Sequence, residues 1–406
     1  MVTERSAPPG PLAGLRVLDL TRFVAGSQAT AALAALGADV IKIEVPPGGD
    51  PYRVQGTERV ADESVLFMSL NAGKRSVALD FRAPGAARAV DRLLATSDFL
   101  VENARPGSLT RHGLDWEQVH ARYPRVVYGS ISGYGDVGPE AARGGFDLIL
   151  QAESGVMSVT GSPESGPVKV GAPVLDVGAG LCCALGLLAA HIERERTGVG
   201  RLVSSSLLEF ALTSLGTLAA STFVSGEVPG LLGTHSPTFA PYGGFRTANG
   251  WIVLAGAGSE DLWLRCCRVL GLDDLPGDPR FADNAARVRN RDELTTRFEE
   301  VLRTEASARW LERLEAEGVP ASEVRDIGQV FSGPQPAALG AVQTLQHDVA
   351  GEVDVVSIPV RIDRAPLAYP SPPPVLGADT RAVLTEVGLD NVEIDRLVAE
   401  QIAIAT

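Results

Sequence analysis

The feature that most constrains the fold of this chain is its opening alternation of strand and helix patterns. LRVLDLT (15–21) is dominated by leucine and valine and has the unbroken apolar character of a buried strand. AGSQATAALAALGA (25–38) is alanine-rich and closes near a glycine, and DVIKIE (39–44) is a second strand. A strand, a helix and a second strand in this order demand a parallel pair with a right-handed crossover. The alternation continues through strand SVALDF (76–81), helix PGAARAVDRLLATS (84–97), strand FLVEN (99–103), helix DWEQVHARY (115–123), strand RVVYGSISGYG (125–135) and a helix from about Phe146 to Met157. A long apolar helix follows Asp176, and residues 201–223 supply one more strand and helix.

The character changes after that. Residues 225–242 are dense in Gly, Pro, Ser and Thr and read as a linker, and 243–330 mix short strands with charged amphipathic helices. Strand character returns in VDVVSIPVRI (353–362), and a helix is expected near 379–387. The expected organisation is therefore α/β. A large parallel-sheet domain occupies 1–224, a linker and smaller α+β domain 225–330, and 331–406 return to the large domain. A chain of 406 residues is long enough for two such cores.

The formal net charge of -14 argues against general nucleic-acid binding, which needs a broad basic face. It leaves room for a small polyanion held by a few local cations. No apolar run is read as reaching the roughly 20 residues of a membrane span. MVTERSAPPGPLAG at the N-terminus lacks the apolar core of a signal peptide, so a cytoplasmic location is expected. The four cysteines form two adjacent pairs, Cys182–Cys183 and Cys266–Cys267, in apolar helical runs. They read as core packing rather than as a metal or redox motif. No histidine pair has metal-ligand spacing, so no metal is expected.

Four segments could carry chemistry. In VGAPVLDVGAG (170–180), Asp176 precedes the long apolar helix. A helix N-terminus offers unpaired N–H groups and partial positive charge, so Asp176 is expected to stay ionised at neutral pH. By local pattern alone it reads most simply as an N-cap. Gly178 and Gly180 would be costly in a helix unless something packs or binds closely there. In SLNAGKRSVALDFR (69–82), Met68 stands where a P-loop needs its first glycine, but Lys74, Arg75 and Arg82 could still pair with phosphates. In VENARPGSLTRHGL (101–114), Asn103 follows a strand and Arg105 and Arg111 flank a turn, where parallel sheets place ligand crevices. ARGGFDLILQAESGVMSVTGSP (142–163) says little alone. Dinucleotide and Ser-His-Asp signatures are missing.

Taken in order, these segments resemble the class III CoA-transferases, a family that also contains α-methylacyl-CoA racemases. The likeness runs through PLAGLRVLDLTRFVAGSQATAALAALGADVIKIEVPPGGDPYR (11–53), NAGKRSVALDF, VENARPGSL, GSISGYGDVGP, GGFDLILQAESGVMSVTG and GAPVLDVGAG, and resumes in APYGGFRTANGWIVLAG (240–256), DPRFADNAARVRNRDEL (278–294) and the Trp310–Pro320 segment. The resemblance implies a Rossmann-like large domain, a smaller domain and an interlocked homodimer. It implies acyl-CoA and a small carboxylic acid as partners, with coenzyme A as substrate and no tightly bound cofactor. Asp176 matches the nucleophile that carries covalent intermediates. Racemases place a proton-transferring histidine where this chain has Phe146, which favours transferase over racemase. A CoA-binding paralogue without turnover is a third reading.

Asn103 and Arg111 match positions that hold CoA in the family, and Lys74, Arg75 and Arg82 lie in the segment lining the nucleotide end; Arg105 joins this set from the turn. A basic residue usually follows the IE strand end, but Val45 stands here, and Arg53 or Arg82 are the candidates to compensate. Formyl-CoA transferases carry glutamine where this chain has Val24, so formyl-CoA and oxalate are not expected substrates. Val24, Phe146, His235, Thr238 and Tyr242 are the expected lining of the acyl pocket.

Overall fold

The computed structural model describes residues 10–405; residues 1–9, most of the stretch read for a leader, lie outside the described residues. The chain separates into two compact units. One holds the chain up to Ser154, Gly171–Gly216 and the chain from Pro334; the other holds Gly155–Val170 and Thr217–Gly333. The sequence pattern gave the smaller unit a single stretch, 225–330, whereas it also takes in residues 155–170.

Six parallel strands build the larger unit: β1 (Arg16–Asp19), β2 (Asp39–Glu44), β3 (Lys74–Leu79), β4 (Phe99–Glu102), β5 (Val127–Ser132) and β6 (Leu202–Ser206). Their order across the sheet is β6-β5-β4-β1-β2-β3, and a last strand, β7 (Ala403–Ile404), adds antiparallel beside β3. The chain therefore winds outward from β1 to β3, returns to the other side of β1, and winds outward again. That reversal opens a crevice beyond the carboxyl ends of β1 and β4, the place where open parallel sheets bind ligands. Both faces of the sheet are covered. Leu18, Ile41, Val77 and Leu100 sit in one continuous apolar core that also includes Val383, Leu384, Ile394 and Leu397 of the C-terminal helices. The sequence reading missed the C-terminal helix Asn391–Ala399, although it opens on a capping box of Asp390 and Glu393, and β7, a two-residue edge strand with no period of its own.

On the other face, helix α1 (Ala25–Ala35) packs against the 24-residue helix α3 (Val174–Thr197). By length and composition α3 could cross a membrane, which corrects the sequence reading that no run was long enough. Within the unit it packs on α1, β5, β6 and helix α4 (Leu207–Ser214), as the core helix of a folded domain does. Cys183 is buried on α3 as expected, but Cys182 is exposed; Cys266 and Cys267 are buried in the smaller unit.

The smaller unit carries a three-stranded antiparallel sheet of Tyr242–Arg246, Trp251–Ala255 and Ala321–Glu323. Phe245, Ile252, Trp263, Phe281, Phe298 and Trp310 form its core. The trios of charged amphipathic helices read from the sequence are Glu260–Leu270, Arg291–Leu302 and Ser307–Ala316.

Candidate active site

The floor of the crevice is a buried ionic network. Asp19, at the end of β1, is fully buried and accepts hydrogen bonds from the Thr21 backbone N–H (2.8 Å), the Thr21 hydroxyl (2.6 Å) and the Thr30 hydroxyl (2.7 Å). Lys74 Nζ stands 3.1 Å from its carboxylate. Burial alone would push the Asp19 carboxyl up, but Lys74, Lys42 and the two hydroxyls outweigh it and hold it below the usual range. Burial pushes the Lys74 ammonium down to about 8, against the pull of Asp19. Lys42 donates to the Thr21 carbonyl (2.8 Å) and pairs with Asp50 at 3.0 Å. These contacts fix residues 20–23 from below. Buried pairs of this kind cost desolvation to form but about 3–5 kcal/mol to break from one side.

Phe23 follows directly, with φ of 61°, a left-handed conformation that a bulky side chain adopts only when its surroundings impose it. Its ring meets Tyr52 edge-on at 5.5 Å and Phe146 at 6.4 Å. Phe146 is the N-cap residue of helix α2 (Asp147–Glu153). The next residue, Asp147, reaches the start of α3, where its Oδ2 accepts from the backbone N–H of Leu175 (2.9 Å) and of Asp176 (3.4 Å).

Asp176 itself is not the N-cap. Pro173 holds that place, and Asp176 is the third residue of α3. Its carboxylate makes no hydrogen bond among the described residues. Burial pushes it up to about 7, and the Asp147 charge adds to the shift. This corrects the expectation of a fully ionised aspartate. The N–H groups that should have favoured its charge are already taken by Asp147, which brings a second negative charge instead. Gly178 and Gly180 are likewise accounted for within the fold rather than by a ligand. A Cβ on Gly178 would lie 2.1 Å from the Phe210 ring of α4, and one on Gly180 2.3 Å from the Ala25 carbonyl of α1.

The six residues expected to hold CoA separate into distinct places. Asn103 clamps the reversal point: its amide accepts from the Arg22 N–H (2.8 Å) and donates to the Arg22 carbonyl (2.7 Å). Arg82 and Arg111 line a cavity of about 210 Å³ at the carboxyl ends of the central strands, together with Arg22, Val45, Phe81 and His112. Burial, with Arg111 and Arg82 close by, holds the His112 imidazole below its usual range. Arg105 lines a different cavity, of about 420 Å³, beside Glu102 and Trp116.

Lys74 and Arg75 are corrections. Lys74 is buried against Asp19 and cannot meet a ligand. Arg75 lies near the amino end of its strand, paired with Asp39 (2.7 Å) and Glu386 (2.8 Å), away from the ligand-binding edge. Arg53 cannot compensate for Val45 either. It is buried, with two hydrogen bonds to Glu44 at 2.6 and 2.7 Å. Arg82 does face the cavity, although Asp80 shares it at 2.7 Å.

Of the expected acyl-pocket residues, Val24 is buried as the N-cap of α1, and Phe146 is largely exposed beside Phe23. His235, Thr238 and Tyr242 belong to the smaller unit. There His235 packs edge-on against Phe245 at 5.4 Å, and burial depresses its imidazole. The Thr238 carbonyl accepts from Asn284 at 2.9 Å, and Tyr242 is exposed at the start of its strand. Sequence reasoning missed Arg22, Phe23, Tyr52 and Asp147. Only Asp147 carried a signal, as the acid directly after Phe146.

With this geometry established, comparison with known proteins is decisive. A model described as CoA-transferase family III matches residues 12–380. The chain belongs to CoA-transferase family III. It is an enzyme that transfers CoA. Among family relatives, the succinyl-CoA:glutarate CoA-transferase of Mus musculus is 36% identical over 93% of this chain and 86% of its own length. The succinate–glutarate CoA-transferase of Agrobacterium fabrum is 35% identical over 93% of this chain and 96% of its own. A CaiB/BaiF family protein from Brucella suis has a solved structure that superposes with a TM-score of 0.82 at 34% identity, covering 93% of this chain and all of that one.

Proposed function

We propose that the enzyme moves CoA from a dicarboxylyl-CoA such as succinyl-CoA to a second carboxylic acid through covalent intermediates on Asp176. The observation that carries the mechanism is the Asp176 carboxyl itself: partly buried, free of hydrogen bonds among the described residues, and held near pH 7. A carboxylate short of hydrogen bonds is a stronger nucleophile than a solvated one, and a site of this kind can stabilise charge that develops later. The dicarboxylic preference rests on the printed names of the mouse and Agrobacterium relatives.

The steps balance as follows. An Asp176 oxygen adds to the donor thioester carbon; the C–S bond breaks, giving an aspartyl–acyl anhydride and CoA thiolate. The thiolate attacks the Asp176 carbonyl carbon, and the anhydride C–O bond breaks to release the donor acid and leave an aspartyl-CoA thioester. The acceptor carboxylate attacks that thioester and regenerates an anhydride and thiolate. The thiolate then takes the acceptor acyl group and frees Asp176. The CoA nucleotide is assigned to the cavity bearing Arg22, Arg82 and Arg111, since clustered guanidinium groups suit phosphates.

The enzyme is further proposed to act as a homodimer, interlocked as in its family. Leu185, Ile192 and Leu212 stand 69%, 62% and 54% exposed on α3 and α4, apolar surface that a second chain would cover. Light scattering in solution checks this; a monomer would refute it. For the chemistry, hydroxylamine should inactivate the enzyme only in the presence of acyl-CoA, with the modification mapped to Asp176. Full transfer activity in Asp176→Ala would overturn the mechanism.

A further inference from the structure

Tyr52 occupies a position that neither the sequence motifs nor the family likeness singles out. It is the middle residue of a short turn, Pro51–Arg53, and both flanks of that turn are anchored. Asp50, paired with buried Lys42, accepts the Tyr52 backbone N–H at 3.0 Å. Arg53 is locked to Glu44 and to the Pro374 carbonyl (3.0 Å), and its guanidinium lies over the Phe67 ring. The backbone of Tyr52 is therefore anchored from both sides.

Its side chain is half-buried and packs edge-on against Phe23, which in turn meets Phe146, the residue adjoining Asp147. This aromatic row ends at Phe146, whose chain neighbour Asp147 caps the helix start that carries Asp176. The Tyr52 hydroxyl, like the Asp176 carboxylate, makes no hydrogen bond among the described residues. Burial and then the Asp176 charge push that hydroxyl above the usual phenol range, so it stays protonated.

We infer that Tyr52 is a substrate-contacting residue whose hydroxyl donates a hydrogen bond to the carbonyl oxygen of the acyl group under transfer. This rests on the Asp176 reading above. As the Asp176 oxygen bonds to the thioester carbon and the C–S bond begins to break, negative charge collects on that carbonyl oxygen. The Tyr52 O–H is the donor the turn presents to it. No proton changes hands: the hydroxyl stabilises charge and keeps its hydrogen, and the same donor serves the last step, in which the CoA thiolate attacks the acceptor's acyl carbonyl in the anhydride and the bond to the Asp176 oxygen breaks.

The test is Tyr52→Phe, which keeps the aromatic row and removes only the unpaired hydroxyl. Its melting temperature should equal that of the wild type. Transfer should fall roughly 10- to 100-fold in kcat, the range a hydrogen bond to a charged oxygen supplies. The fall should be similar for every acyl donor tried, and the inhibition constant of free CoA should not change. Wild-type kcat in Tyr52→Phe overturns the inference. So does a loss confined to one acyl chain, or one accompanied by a lower melting temperature, since these mean selectivity or structure instead. Asp176→Ala, assayed alongside, separates the two claims: its activity decides the nucleophile and that of Tyr52→Phe decides the donor.

Discussion

Asp147 and Asp176 are two carboxylates brought together by one helix start, the first accepting the backbone N–H of the second at 3.4 Å and that of Leu175 at 2.9 Å. Asp147 thereby does two opposed things. It satisfies the N–H groups that begin α3, and its charge raises the proton affinity of its neighbour. Asp147→Asn should separate them, because an amide oxygen still caps the helix while the like charge is gone. With Asp176 as the proposed nucleophile, the acid limb of the pH–rate profile is expected near 7, and it should move to lower pH in this variant. The move should be partial, because burial is the larger cause of the shift. An unmoved limb would show that Asp147 does not tune the site.

Asp176 should also leave a mark on stability. Its folded-state value of about 7 is raised from the 3.8 of an ordinary aspartate. Between these two values the unfolded chain ionises the group and the folded chain does not. The folded state therefore loses stability, relative to a variant that cannot titrate, as pH rises from about 4 to about 7. Thermal melts of Asp176→Asn should match the wild type near pH 4, exceed it increasingly toward pH 7, and hold a constant lead above that. A gap independent of pH would contradict the raised value.

Lys74 separates a structural cation from a ligand-binding one. Lys74→Met leaves Asp19 buried and unpaired, so urea unfolding should show a loss of about 3–5 kcal/mol. Adding Asp19→Asn should recover part of it, since the stranded charge is then removed. A folded Lys74→Met protein of unchanged stability but weakened CoA binding would reverse the assignment.

Arg82 and Arg111 are expected to behave in the opposite way. Titration calorimetry with CoA should show about tenfold or greater weakening for either alanine variant, a typical cost for one lost charge-assisted hydrogen bond. Arg75→Ala, whose partners are Asp39 and Glu386, should bind CoA as the wild type does.

Gly178 tests the packing role of the helix start. Gly178→Ala forces a methyl group to within 2.1 Å of Phe210, so α3 and α4 must separate. A loss of about 1–3 kcal/mol is expected, measured by denaturant unfolding.

How much of this was legible in the sequence varies from residue to residue. The alternation from Arg16 to Ser206 determined the parallel sheet, because strand and helix periods are local properties of the chain. The family, and with it CoA transfer, followed from motifs preserved in order along almost the whole length. The tertiary structure decided which charges are available. Lys74, Arg75 and Arg82 lie within nine positions of one another. Yet one is sealed against Asp19, one is tied at the amino edge of the sheet, and one faces a cavity. Linear sequence records their charge but not their partners, which come from segments up to 311 residues away. The same holds at Asp176. The sequence by itself marked Asp176 at the head of a helix. Only the folded chain sets Asp147 over that helix start and Phe23 in a strained turn between Tyr52 and Phe146, because burial and proximity exist only once distant segments pack together.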